Sequence, residues 1–253
     1  TDSQRATLAA TLPAVQGALG EITPAFYRRL FAAHPTLLDN LFNRTHQQSG
    51  EQPQALAGSI AAFAALQLEP DIRRQRFIID RIAHKHASLG VTRDQYDVVH
   101  EHLFAAIIEV LGEAVTPAVA DAWDQLYWDM ADLLITTEAG LYAEAGVEPG
   151  AVWRDVRVVE RAQISPDTIA LTLAADDGNL PTFRPGQYIS VQVPLADGAR
   201  QIRQYSLTGA ATDPRWTFSV KLAGEVSGHL HEHVFEGDRL HVSMPFGDLV
   251  LPE

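Results

Sequence analysis

The chain of 253 residues contains no cysteine. Disulfides, thiolate nucleophiles, iron–sulfur clusters and cysteine-based zinc sites are therefore excluded, and any metal must be held by nitrogen or oxygen. Basic residues are scarce. Nineteen lysines and arginines stand against 32 aspartates and glutamates, which gives a formal net charge of −13 and an isoelectric point of about 5.1. That imbalance repels nucleic-acid backbones and anionic membrane surfaces, so neither is expected as a partner. Long apolar runs are missing as well: none reaches the roughly 18 residues at which a run reads as a membrane-spanning helix. The first residues, Thr1-Asp2-Ser3-Gln4-Arg5, lack the basic and apolar regions of a secretory signal, and a cytoplasmic location is the expectation. Internal repeats and low-complexity tracts are absent too.

The residues present divide the chain in two. Its length exceeds that of a usual single domain, and 46% apolar residues can fill two cores. From residue 3 to about 145 the apolar spacing is helical. Phe26, Leu30 and Phe31 follow Thr23-Pro24, which suits a helix start. Phe104, Ile107, Ile108 and Leu111 follow Thr92-Arg93-Asp94-Gln95, which fits a capping box. Trp123, Leu126, Tyr127, Met130, Leu133 and Leu134 follow Thr116-Pro117. Gly146-Val147-Glu148-Pro149-Gly150 reads as a linker. Beyond it the period drops to two, as in Ile169, Leu171 and Leu173, then Ile189, Val191 and Val193, then Leu240, Val242 and Met244. Turn signals at Asp177-Gly178-Asn179, Asp197-Gly198 and Asp213-Pro214 separate these short strands, which points to a small antiparallel barrel with one helix near Val226–Phe235. The expected domains are residues 1–145, a linker 146–150, and residues 151–253.

The helical half has one stretch dense in chemistry, Ile82-Ala83-His84-Lys85-His86-Ala87-Ser88-Leu89-Gly90. The glycine suits a helix stop. Taken alone, Lys85 and a protonated histidine there merely complement the negative helix end. His84 and His86 are two apart and point in different directions, so both cannot face one metal. His100 and His102 read as partly exposed surface histidines.

Set beside Ala25-Phe26-Tyr27-Arg28-Arg29-Leu30-Phe31, Leu41-Phe42-Asn43, Gly50-Glu51-Gln52 with Leu56, Gln95-Tyr96 and Thr137-Glu138-Ala139, this stretch resembles the globin domain of the flavohaemoglobins. The resemblance implies a haem b with His86 as the iron ligand and with Glu138 and Tyr96 as its hydrogen-bonding partners. It makes Tyr27 and Gln52 the polar groups of the distal side, with Leu56 limiting its volume and Phe42 packing on the porphyrin. A carboxylate behind a metal-bound imidazole makes it a stronger electron donor, which favours oxygen activation over reversible carriage.

The second half carries Arg184-Pro185-Gly186-Gln187-Tyr188, then Arg203-Gln204-Tyr205-Ser206, then Gly224-Glu225-Val226-Ser227 with Leu230-His231. In that order these segments resemble the ferredoxin reductase-like flavin domains. Arg203 can meet a phosphate in bidentate fashion, Tyr205 can stack on an aromatic ring system, Ser206 can hydrogen-bond near the reactive flavin nitrogen, and the N–H groups of Val226 and Ser227 offer an anion site at a helix start. Tyr188 would flank the flavin or its adenosine, and Lys85, Gln204 and Gly224 complete the implied cofactor-binding set. FAD as the flavin is implied by the family.

The resemblance thus implies an all-α globin followed by an antiparallel β-barrel of the ferredoxin reductase-like FAD-binding type. Its activity would be a nitric oxide dioxygenase, which uses oxygen to convert nitric oxide to nitrate with electrons from NAD(P)H. The ligands are then O2 and NO. Complete members carry a third, nicotinamide-binding domain; the chain ends at Pro252-Glu253 about where that domain should begin, and no G-x-G-x-x-G follows a strand. NAD(P)H is therefore expected as a partner only together with that domain. The alternatives are an oxygen- or NO-binding or sensing haem protein, and a peroxidase-like hydroperoxide reductase.

Overall fold

The computed structural model describes residues 1–250 except 43, 45, 46, 48, 49, 69, 70 and 179, together with the side chains of all described residues but 39, 51–53, 55, 57 and 67. Its helices are α1 (Asp2–Ala33), α2 (Pro35–Asn40), α3 (Glu51–Leu68), α4 (Ile72–Leu89), α5 (Asp94–Leu111) and α6 (Pro117–Glu144), with a 3-10 turn at Gly112–Ala114. Six strands follow: β1 (Trp153–Ser165), β2 (Thr168–Ala174), β3 (Tyr188–Pro194), β4 (Arg200–Ser206), β5 (Trp216–Lys221) and β6 (Arg239–Ser243), with helix α7 (Glu225–His233) between β5 and β6. Among the described residues no helix is long and apolar enough to cross a membrane. The chain separates into two compact units. The first is Thr1–Leu38, Asn43–Ala83 and Thr92–Thr137, and the second is Asp39–Phe42, His84–Val91 and Glu138–Glu253.

In the first unit α1 packs against α3 and α5. Its buried stripe, Leu8, Leu12, Val15, Leu19, Ile22, Phe26 and Leu30, keeps helical spacing throughout. The helix start expected at Thr23-Pro24 is not used. The helix runs through Pro13 and Pro24, and the Thr23 hydroxyl donates backward to the Leu19 carbonyl at 2.9 Å. An interior proline costs about 3 kcal/mol, whereas each large apolar side chain on the stripe contributes about 1.5–3 kcal/mol by burial. Keeping both halves of the stripe in register therefore outweighs the break.

The box expected at Thr92 forms by half. Gln95 Oε1 accepts the Thr92 N–H at 2.9 Å, while the Thr92 hydroxyl turns to Asp94 and Arg93 occupies the cap position without a side-chain bond. Thr116 accepts the Val119 N–H at 3.4 Å and α6 begins at Pro117. Ile108 and Leu133, both counted in the apolar stripes, are instead 55% and 42% exposed. Each follows or precedes a stripe member by one residue, and the 100° rotation per residue carries it past the buried face.

In the second unit the strands form one antiparallel sheet in the order β4-β3-β6-β1-β2-β5. Its core holds Val156, Leu171, Ile189, Val191, Trp216, Phe218 and Val242 at alternate strand positions, and α7 contributes Val226, Leu230 and Val234. The barrel is not closed by a ladder. Where a full barrel would pair β4 with β5 along their length, the only joint described is the bridge Leu207↔Phe218, supported by the Thr208 N–H to the Thr217 carbonyl at 2.8 Å. The chain leaves β4 at Ser206 and crosses toward β5 for these residues alone before turning away through Asp213-Pro214.

Candidate functional site

Helix α4 ends in a stop that fixes the backbone of His86. Gly90, at φ +75°, returns its N–H to the Ala87 carbonyl at 3.0 Å, and Val91 returns its N–H to the His86 carbonyl at 3.1 Å. This pair of bonds is the Schellman arrangement, which needs a residue free to take positive φ at its turn. The imidazole is fixed from another direction: His86 Nδ1 lies 2.9 Å from Glu138 Oε1. Glu138, on α6, is 3% exposed, so its carboxylate depends on such partners in place of water. One turn further along α6, Tyr142 is also buried and its hydroxyl donates to the Val91 carbonyl at 2.6 Å. Burial, and then the negative Glu138, push the Tyr142 phenol well above its ordinary range. Tyr142 carries no signal in a site pattern, but its spacing of four from Glu138 places both on one helix face.

His84 is spoken for structurally. It is buried, and its Nδ1 accepts the Gly247 N–H at 3.0 Å. His100, read from sequence as a surface histidine, packs against Phe104, Tyr127 and Trp128 and pairs with Asp124 at 2.7 Å. His102 lies edge-on to His34 with ring centroids 5.4 Å apart.

Of the other residues singled out, Tyr27, Leu56 and Tyr96 belong to the first unit and Phe42 and Lys85 to the second. Tyr27 is buried beside Phe26 and Phe31, with centroids 4.7 and 5.6 Å away. Burial pushes its phenol up to about 12, against a hydrogen bond with the Gln47 side chain that pulls it down. Gln47, not singled out from sequence, is thus the glutamine described beside Tyr27. The backbone of Gln52 lies in α3, but its side chain falls outside the described residues. Leu56 is half-buried on the same helix. Tyr96 is buried, and its carbonyl accepts the Tyr127 hydroxyl at 2.6 Å. The Phe42 carbonyl accepts from Gln201 Nε2 at 3.3 Å, and Gln201 is wholly buried in β4.

Strand β4 sorts its residues by face. Opposite residues in the β3–β4 ladder are Tyr188↔Ser206, Ile189↔Tyr205, Ser190↔Gln204 and Val191↔Arg203. Side chains alternate along a strand, so Arg203 and Tyr205 share one face and Gln204 and Ser206 the other. Tyr205 sits 5.1 Å from Phe218, and burial raises its phenol to about 12 against the positive Arg203. Arg203 is 3.5 Å from Glu225, the first residue of α7. The R-x-Y-S strand and the glycine-headed helix therefore meet. At that helix start Ser227 Oγ accepts the N–H groups of Ala223 and Gly224 at 2.9 and 2.8 Å, shaping the turn that presents the first-turn amides.

On the opposite face a ring of hydrogen bonds closes on Lys85. Its ammonium donates to Gln204 Oε1, Gln204 Nε2 donates to Ser190 Oγ at 2.9 Å, Ser190 Oγ to Ser88 Oγ at 3.0 Å, and Ser88 Oγ to the Lys85 carbonyl at 2.8 Å. Ser88 and Ser190, fully buried, carry no motif and were not singled out. Loss of water around the ammonium, then the positive Arg203, lower Lys85 to about 8.

The donor set suits the two groups implied by the resemblance. An imidazole whose Nδ1 is committed to a buried carboxylate leaves Nε2 as the nitrogen for a metal, the arrangement that holds iron through one histidine. A guanidinium beside a helix N-terminus, with an aromatic ring on the same strand face, suits a phosphate joined to a flat ring system.

Comparisons with known proteins agree with this division. The globin family matches residues 24–134, and the oxidoreductase FAD-binding domain family matches residues 155–250. A flavohemoprotein of Bordetella pertussis is 44% identical over 98% of this chain and 63% of its own length, and one of Deinococcus radiodurans is 41% identical over 100% and 64%. The chain thus spans somewhat less than two thirds of these relatives. Among solved structures, a flavohemoglobin from Malassezia yamatoensis with bound FAD and heme matches 99% of the chain and 65% of its own, at 35% identity and a TM-score of 0.91. A bacterial globin from Campylobacter jejuni matches 56% of this chain and 99% of its own, at 31% identity and a TM-score of 0.52.

Proposed function

Because the chain belongs to the flavohaemoprotein family, we propose that it is the haem- and flavin-binding part of an oxidoreductase that converts nitric oxide to nitrate at the expense of oxygen. The observation that carries the reading is the 2.9 Å bond between His86 Nδ1 and the buried Glu138. His86 would hold haem b through Nε2, with Phe42 packing on it; Arg203, Tyr205, Tyr188, Ser206 and the Gly224-Val226-Ser227 turn would hold FAD. Once bound, the haem supplies an iron that takes small diatomic ligands and the flavin supplies single electrons.

The chain's own groups account for the rest. Glu138 keeps the Nδ1 proton engaged, which fixes the tautomer and makes the imidazole a stronger donor, and Tyr96 is proposed as its second partner. Tyr27, with its phenol raised to about 12, keeps its proton at neutral pH and remains a hydrogen-bond donor. In a dry pocket such a donor stabilises developing negative charge. Gln52 is proposed beside it and Leu56 as the wall that keeps larger molecules out. NAD(P)H is proposed as the electron source, entering with the part of the relatives that this chain does not span. A cytoplasmic site of action fits that donor.

The purified, reconstituted protein should show a Soret band beside a flavin envelope, with the Soret band absent in His86→Ala. Nitric oxide consumption by the reduced protein should fall more than about tenfold in Tyr27→Phe, the scale of a lost charge-stabilising donor. An unchanged rate would favour binding or sensing instead. The Glu138 bond equally supports a second reading, reduction of hydroperoxides; faster turnover with a hydroperoxide than with nitric oxide would select it.

A further inference from the structure

Glu138 and Tyr142 stand one turn apart on the same face of α6 and grip the same short stretch of chain at two points. Glu138 takes the imidazole of His86 at 2.9 Å, and Tyr142 takes the carbonyl of Val91 at 2.6 Å. Val91 in turn gives its N–H to the His86 carbonyl at 3.1 Å. The four links close a circuit: from Glu138 along one helix turn to Tyr142, across to Val91, back to His86, and through its ring to Glu138.

The turn inside this circuit has little room to shift. Gly90 takes φ +75°, and a Cβ there would come within 2.9 Å of the Gly150 carbonyl oxygen. Tyr142 is 2% exposed and packs in a cluster with Ala87, Val152, Met244 and Phe246. An apolar ring would fill that cluster as well, so what the tyrosine adds is its hydroxyl, which when buried needs a partner and finds one in Val91.

We propose that Tyr142 is a positioning residue for the proximal imidazole: its hydroxyl pins the turn His86–Val91, so that Nδ1 stays on Glu138 and Nε2 keeps one direction. The proposal rests on the reading of His86 as the iron ligand. Without the hydroxyl, the Val91 carbonyl loses its partner, the turn gains freedom, and the imidazole can pivot about its bond to Glu138.

Tyr142→Phe removes one oxygen and retains the ring. In the reconstituted, reduced protein its iron–histidine stretch, read by resonance Raman, should move from the wild-type frequency in the direction taken by Glu138→Gln. The Val91 amide should exchange with solvent about fivefold faster, the factor for one ordinary hydrogen bond. Haem transfer to an acceptor globin should quicken about tenfold, the lower end of what is seen when a group behind a metal-bound histidine is removed. A folded Tyr142→Phe with the wild-type stretch overturns the proposal even if it melts earlier, because the imidazole then keeps its place without the hydroxyl and the tyrosine serves stability alone. Should Tyr142→Phe not fold, Gly90→Ala decides. It displaces the same turn with Tyr142 intact and must move the same stretch; a folded Gly90→Ala with the wild-type stretch is equally fatal. If the reduced wild type shows no iron–histidine stretch, the reading of His86 as ligand has failed first, and the role of Tyr142 falls with it.

Discussion

The ring through Lys85, Gln204, Ser190 and Ser88 makes a prediction that packing alone would not. In Ser190→Ala the Gln204 Nε2 loses its 2.9 Å acceptor and Ser88 its 3.0 Å donor. An orphaned buried polar group costs about 1–3 kcal/mol. Gln204 is only half-buried, which places the expected loss near the middle, about 2 kcal/mol. Ser88→Ala takes the acceptor from the wholly buried Ser190 O–H, whose oxygen keeps only the Gln204 donor, and strips the Lys85 carbonyl of its 2.8 Å donor, for a loss of about 2 kcal/mol as well. The double variant removes both hydroxyls, so the Ser190 hydroxyl is no longer stranded. It should lose about 1 kcal/mol less than the sum of the singles, within the range of coupled neighbours. Urea unfolding followed by tryptophan fluorescence, with Trp153 and Trp216 in this unit, reads the losses. Each single variant should shift the midpoint by about 1 M at a slope of about 2 kcal/mol per molar. Single losses below about 0.5 kcal/mol, or a double variant additive to within about 0.3 kcal/mol, would refute the ring.

Two further outcomes are expected. The ordinary lysine pKa is 10.5 and that of Lys85 is about 8, so between these values the folded chain binds fewer protons than the unfolded one and stability rises with pH. Relative to Lys85→Met, the wild type should gain over that window by less than about 1 kcal/mol, since the residue as a whole is exposed and solvent screens it; a fall would contradict the sign. Gly186 has φ +103° and a Cβ there would collide with the Leu249 carbonyl, so Gly186→Ala should cost more than about 2 kcal/mol in urea unfolding, and a loss under about 0.5 kcal/mol would show that the approach is not rigid.

How much of this was legible in the sequence differs from element to element. The stop at Gly90 and the start at Pro117 could be read because each rests on a local backbone requirement, a positive φ or a missing N–H. The start expected at Thr23-Pro24 failed because a local signal met a longer one, the stripe from Leu8 to Leu30. The strands could be read from their alternation, but closure of the barrel could not, since it depends on where one loop crosses at Leu207. In the candidate site, His86 and Glu138 carry side chains whose chemistry announces itself, and the structure brings them to hydrogen-bonding distance. Tyr142, Ser88 and Ser190 look like ordinary core or strand residues, and their roles come from partners between 14 and 102 positions away. Gln47, which hydrogen-bonds the buried Tyr27 phenol, was not legible because a motif specifies residue type and order but not every side chain that reaches a given group; the side chain of Gln52 lies outside the described residues.

Strand β4 works as a double-sided blade: on one face Arg203 meets Glu225 and Tyr205 meets Phe218, while on the other Gln204 meets Lys85 and Ser190. Inserting a single residue upstream of Arg203 on this strand would exchange the two sets and place the guanidinium opposite Ser190, where the carboxamide of Gln204 now lies. Two tasks are thus encoded in one run of seven residues, and their phase, more than the identity of any one side chain, is what the strand must preserve.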